Sequence, residues 1–138
     1  MQTNPTQYPL PDISNGLCER LGIRFTLLEE GLVKATMPVD ERTCQVFGFL
    51  HGGASLALAE TVAGHGSIPL CPPGHIPCGI QVSGSHLRMI AKGTTVEATG
   101  RLLYRGRTQH IWNVDITTPD GQLVSTSRVV NLIVKRRS

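Results

Sequence analysis

The sequence predicts an α+β domain in which one long helix packs against a long antiparallel sheet of six strands. Three observations carry this. One segment, Gly52 to about Ser67, has sustained helix-forming composition. Six strand-like runs flank it, two before and four after. Most of the connections between strands are short and carry a Gly, as hairpin turns do. The predicted order is β-β-α-β-β-β-β.

The 138 residues suit one domain. Residues 1–13 are polar and Pro-rich and read as a poorly ordered or loosely docked arm, which leaves 14–138 as the domain. Ser14 is placed to cap a short helix through Arg20, ending near Gly22. Ile23–Leu28 and Leu32–Pro38 read as strands around the turn Glu29-Glu30-Gly31. In the second, Val33, Ala35 and Met37 alternate with Leu32, Lys34 and Thr36, which fits a strand with one wetter face. Residues 43–50 read as a loop. The following helix is apolar nearly all round, so it is expected to be buried. Ile68–Pro77 holds four prolines and reads as a loop. Cys78–Met89, Thr94–Tyr104, Thr108–Thr118 and Leu123–Val134 complete the sheet as consecutive hairpins, an antiparallel meander. Such a sheet leaves edges, and pairing with a second copy removes one, so a homo-oligomer is expected.

Composition narrows the partners. Hydrophobic residues are 40% and charged residues 17%, which excludes disorder as a reading of the whole chain. All but three of the 13 basic residues are Arg, the side chain suited to phosphate and carboxylate. The basic run Lys135-Arg136-Arg137 is too short to mark DNA binding, and aromatics at 4% are too sparse for a single-strand stacking platform. No nucleic-acid partner is expected. No apolar stretch reaches the roughly 20 residues of a spanning helix, and residues 1–11 lack the features of a signal peptide. The expectation is no membrane partner, a cytoplasmic location, and free thiols at Cys18, Cys44, Cys71 and Cys78.

Chemistry concentrates in 45–60. Gly52 and Gly53 form the first helical turn. Their N–H groups lack intrahelical partners and, on the sequence alone, any covering side chain. Such a helix start carries partial positive charge and suits a developing oxyanion, as on a polarised thioester carbonyl. Glu60 falls on one broad helix face with Gly53, Leu56, Ala57, Ala63, Gly64 and Ser67. It is either exposed, paired with an Arg such as Arg88, or a functional carboxylate of the general-base kind. His65, Cys71, His75 and Cys78 are zinc-type ligands, but their spacing matches no finger or ribbon, so no metal is expected. No Gly-x-Ser-x-Gly, Gly-x-Gly-x-x-Gly or Walker-like string occurs, so triad, nucleotide and dinucleotide chemistry lack support and no cofactor is expected.

Met37-Pro38-Val39-Asp40, Gln45, Phe47-Gly48, His51-Gly52-Gly53-Ala54, Leu58-Ala59-Glu60 and Gly106-Arg107 with Trp112 stand together in this chain. Over roughly Leu21–Val134 they resemble the hotdog-fold acyl-CoA thioesterases of the PaaI-like group. The resemblance implies a sheet wrapped around the helix and hydrolysis of an aryl or short-to-medium acyl-CoA to acid and CoA. It implies Glu60 as nucleophile or general base, and the Gly52 N–H as the group that polarises the carbonyl. His51 then orients the thioester or thiolate, and Gln45 contacts the carbonyl or positions water. It places the site at a dimer interface, taken here within a dimer of dimers. Gly53, Gly64 and Ser67 then line the acyl pocket. Relatives often carry Asn-x-x-His-x-Arg where this chain has Ser83, His86 and Arg88. His86 is either a substrate contact or a strand histidine satisfied by a neighbour. Arg88, Arg105 and Arg107 are candidates for the CoA phosphates. His110 and Trp112 either meet the pantetheine or simply pack. The alternative function is a non-catalytic hotdog module that binds acyl-CoA or acyl carrier protein conjugates; a dehydratase-like hotdog is weaker, since those use a different pattern of His with Asp or Glu.

Overall fold

A computed structural model describes residues 6–137. The elements are α1 (Leu17–Arg20), β1 (Arg24–Glu29), β2 (Leu32–Val39), α2 (Gly52–Ser67), a 3-10 turn (Ile68–Leu70), β3 (His75–His86), β4 (Thr94–Arg105), β5 (Gln109–Thr117) and β6 (Leu123–Lys135). All six strands join one antiparallel sheet in the order β1-β2-β4-β5-β6-β3. The predicted α+β architecture is the one observed.

The alternation in β2 is real: Val33, Ala35, Met37 and Val39 are buried, and the residues between them are half-buried. They meet Leu58, Ala59, Val62 and Ala63 of α2, together with Val96, Ala98, Trp112, Val114, Ile116 and Val129. Fully burying one such aliphatic side chain is worth about 1.5–3 kcal/mol, so this face holds the helix on the sheet. Two glycines let it sit close. A β-carbon at Gly66 would stand 2.5 Å from Trp112 Cη2, and one at Gly100 would stand 2.6 Å from Val62 Cγ1.

Four local expectations need correction. The meander covers only β4, β5 and β6, because β3 pairs with β6 at the far edge. The 87–93 connection is too long for a hairpin turn. It crosses instead, with Leu87 N–H on Val124 O, Leu50 N–H on Ile90 O and Gly93 N–H on Val39 O. β3 also starts at His75, inside the expected loop; an edge strand tolerates Pro77, which has no N–H to give. Ser14 does not cap α1. Asn15 takes a left-handed φ of 67°, which no helix continues, and Gly16 becomes the N-cap. Finally, α2 is buried on one side only: Gly53 and Glu60 are exposed, and Leu56, Ala57 and Gly64 are half-buried. The described part of the arm is docked, with Tyr8 N–H on Leu28 O and Glu30 N–H on Gln7 Oε1.

Candidate functional site

The loop before α2 is organised around Gln45. Its backbone N–H donates to Phe49 O at 2.8 Å, and its side-chain carbonyl accepts from Phe47 N–H (2.7 Å) and Phe49 N–H (3.2 Å). The loop thus closes on its own side chain and presents Val46 and Phe47 outward, 94% and 80% exposed. His51 N–H is held by Thr43 O at 2.8 Å, which fixes where α2 begins.

His51 is the N-cap of α2. Its Nδ1 accepts from Gly53 N–H at 2.7 Å, so one of the two open glycine donors is covered after all. Accepting at Nδ1 places the ring proton on Nε2, where it faces outward as a donor. The Gly52 N–H has no acceptor among the described residues. His86, at the end of β3, lies over this start: a β-carbon at Gly52 would be 2.7 Å from His86 Nε2. Gly52, His51 and His86 are thus neighbours at the start of α2, which carries the helix's partial positive charge. Beside it a cavity of about 360 Å³ opens between α1 and α2, lined by Leu17, Leu21, Cys44, His51, Gly53 and Ala57 among others.

Glu60 lies elsewhere. It is exposed, and its Oε1 rests against the bare Cα of Gly79 on β3, where any β-carbon would collide with it. No ion pair joins it to Arg88 or to another cation among the described residues. Eight residues separate Gly52 from Glu60, about 12 Å along a helix axis. One carbonyl within hydrogen-bonding reach of Gly52 is therefore out of reach of Glu60 in the same chain.

The remaining expected residues divide. A β-carbon at Gly64 would meet nothing within 4 Å, so that face is open. Ser67 is not there: it is fully buried, and its Oγ accepts from Trp112 Nε1–H (2.9 Å) and Asn131 Nδ2–H (3.1 Å) and lies 2.8 Å from His110 Nδ1. His110 and Trp112 are thus core residues. Ser83 is paired with exposed Arg128 while its neighbour Gly84 faces buried Ser127, so Ser83 points away from α2 and from His86. Arg105 is held by Glu30 Oε1 (3.3 Å) and Leu70 O (3.2 Å). Arg88 and Arg107 are exposed, the first beyond the β3 end that meets the start of α2, the second in the β4–β5 turn toward its far end. His65 packs edge-on against Phe25 (4.9 Å), His75 turns to Pro73 O, and no three His, Cys, Asp or Glu side chains among the described residues form a group able to hold a metal. The sequence reading missed Gly79 and Asn131. A glycine inside a strand pattern often marks a close approach, and that signal was available for Gly79; nothing in the sequence marked Asn131.

The thioesterase superfamily matches residues 47–125. The proofreading thioesterase EntH of Cronobacter turicensis is 40% identical over 118 residues, which is 86% of this chain and 85% of that one. Among solved structures, thioesterase HI1161 of Haemophilus influenzae has 36% identity and a TM-score of 0.83, covering 88% of this chain and 85% of its own. Thioesterase SAV0944 of Staphylococcus aureus has 35% identity and a TM-score of 0.82, covering 87% of this chain and 98% of its own. That protein has been solved with one glutamine and, separately, one glutamate replaced by alanine, at the same mutual spacing as Gln45 and Glu60.

Proposed function

Because the chain belongs to the thioesterase superfamily and is a PaaI-like, hotdog-fold thioester hydrolase, we propose that it cleaves acyl-CoA, with Glu60 of one copy and the α2 start of a second copy forming each site. The observation that carries this reading is the separation of Glu60 from Gly52 along one helix. Two copies with their α2 helices running antiparallel bring each Glu60 opposite the other's Gly52 N–H and His51. The half-buried outer face of α2, the exposed Val46 and Phe47, and the free edge of β3 are the surfaces such a partner covers. Dimers of this kind then associate in pairs.

In the proposed site the thioester oxygen sits on Gly52 N–H, where the helix start stabilises the oxyanion. His51 Nε2–H donates to the thioester or to the departing sulfur. The Glu60 carboxylate either takes the proton of a water that attacks the carbonyl carbon or attacks that carbon itself. Gln45 keeps its amide nitrogen for the carbonyl or the water, because its oxygen is held by the loop. Gly64 faces open space that leaves room for an aryl or short-to-medium acyl chain, and Gly53 borders the cavity beside the helix start. Exposed Arg88 and Arg107 are the groups offered to the CoA phosphates.

The test is thiol release from a panel of aryl, short and long acyl-CoAs and an acyl carrier protein conjugate. Glu60→Gln is expected to lower turnover by about 10²–10⁴-fold with an unchanged circular dichroism spectrum. Unchanged turnover removes Glu60 from the mechanism. Mixing inactive Glu60→Gln with inactive His51→Ala chains is expected to restore partial activity; no recovery after exchange of subunits rules out a shared site.

A further inference from the structure

The geometry points to His110 and Asn131 as positioning residues for Glu60: together with Ser67 they clamp the turn of α2 behind Glu60 to β5 and β6, and the clamp requires a neutral His110. This rests on the reading of Glu60 as the catalytic carboxylate.

Proton bookkeeping fixes the state of the cluster. Trp112 Nε1 can only donate. Asn131 Nδ2 also meets the Ala63 carbonyl at 3.1 Å, and a carbonyl only accepts, so the amide orientation is settled and Nδ2 donates to Ser67 as well. Two donors fill the lone pairs of Ser67 Oγ. Its own proton must then go to His110 Nδ1, 2.8 Å away. His110 is therefore neutral, with its proton on Nε2. A proton on Nδ1 would press a third donor on Ser67 and strand the Ser67 hydrogen inside the core.

The surroundings agree. Burial, and secondarily the charge of Arg105, push the His110 pKa down. Arg105 is His110's register partner on β4 and is itself paired with Glu30. On the β6 side stands neutral Asn131. From α2 comes neutral Ser67. Past the 3-10 turn, the Cys71 thiol donates to Ser67 O at 3.3 Å, and burial raises its pKa. Of these groups only His110 ordinarily changes charge in weakly acid solution.

The link to Glu60 is direct in the fold. Asn131 grips Ala63, three residues beyond Glu60, and Ser67, one turn further. Its register partner on β3 is Gly79, the residue on which the Glu60 carboxylate lies. One cross-strand pair thus holds the helix turn with Asn131 and supplies the floor under Glu60 with Gly79. Asn131 Oδ1 remains buried with no partner among the described residues. That is a cost apolar packing would avoid, so the amide is better explained by placement of the helix than by stability.

The experiment compares kcat and KM across pH for the wild type, Asn131→Ala and His110→Asn on whichever thioester the wild type hydrolyses, with Glu60→Gln as the reference. Asn131→Ala is expected to lose about tenfold or more in kcat with KM little changed, the mark of a misplaced catalytic group. His110→Asn keeps an acceptor for Ser67 but cannot titrate, so kcat near pH 8 stays within about threefold of wild type. Its acid limb moves to lower pH. An unchanged acid limb in His110→Asn, or wild-type kcat in Asn131→Ala, overturns the inference. Should either variant fail to fold, the nitrogen resonances of His110 in the wild-type protein decide: an unprotonated Nδ1 at pH 7.5 supports the clamp and a protonated one refutes it. A fully active Glu60→Gln defeats the reading of the site instead, which separates the two failures.

Discussion

The two ends of α2 are built on opposite plans. At its start, polar groups are left available: Gly52 N–H has no acceptor among the described residues, His51 caps through Nδ1 and so keeps its ring proton on Nε2, and the adjoining loop exposes Val46 and Phe47. At its end, Ser67, His110, Trp112 and Asn131 are almost wholly buried and bonded to one another. Glu60 lies between them, exposed but two turns from the locked end. A helix free at both ends would not hold a carboxylate against Gly79, and one sealed at both would have no donor for a carbonyl. The open start offers donors, and the buried cluster at the other end, bonded through Ser67, fixes where the helix lies.

The largest effect expected is on the locked end. Trp112→Ala removes the ring that Gly66 rests on and leaves Ser67 short of a donor, which should cost about 3–5 kcal/mol in denaturant unfolding. Trp112→Phe keeps most of the ring and loses only the Nε1–H bond, a cost of about 1 kcal/mol plus a small packing loss. If both substitutions cost the same, the hydrogen bond rather than the ring secures this end. Next comes the floor under Glu60. Gly79→Val places a β-carbon where the Glu60 carboxylate lies. Turnover should fall by about 10²-fold, while stability changes little, since a β-branched residue suits a strand. Unaltered turnover in a folded Gly79→Val chain would mean that Glu60 works from another rotamer. At the open end, His51→Ala removes the cap on Gly53 N–H, and about 1 kcal/mol of stability should go with it. A larger loss would show that this end is also structural.

Much of this contrast was readable from the residues, and the unread part has a physical reason. The β2 alternation and the helix depend on local periodicity and composition, which sequence reports well, whereas the string from Gln45 to Glu60 stands out by its resemblance to a family. The place of β3 depends on a crossing at 87–93 that no local pattern encodes. Ser67 was misjudged because a helical wheel assigns it the same stripe as Glu60. A wheel describes a helix, not what lies beneath it. The stripe looks onto solvent at Glu60 and onto β5 and β6 at Ser67. Asn131 was invisible for a similar reason: a lone Asn in a strand signals nothing until the cross-strand partner is known to be Gly79.

The smallest effects concern charge. With its pKa pushed below the ordinary 6.5 by burial and by Arg105, His110 binds its proton more weakly folded than unfolded. The unfolded chain therefore takes up a proton first as pH falls through 6.5, and stability declines from there down to the folded pKa; above 6.5 this group contributes nothing. His65, also lowered by burial, acts in the same direction, so His110→Asn should flatten only part of the acid loss in melting temperature. If it flattens none, the locked end is indifferent to pH. Glu30→Gln is the finest probe. The Arg105–Glu30 pair is half in solvent, so its loss should cost under about 1 kcal/mol at pH 8. Without Glu30, the positive charge of Arg105 is less compensated at His110, and the onset of acid destabilisation should sharpen. A smaller acid loss in Glu30→Gln than in the wild type would break the electrostatic link between the surface pair and the buried cluster, and leave burial alone to keep His110 neutral.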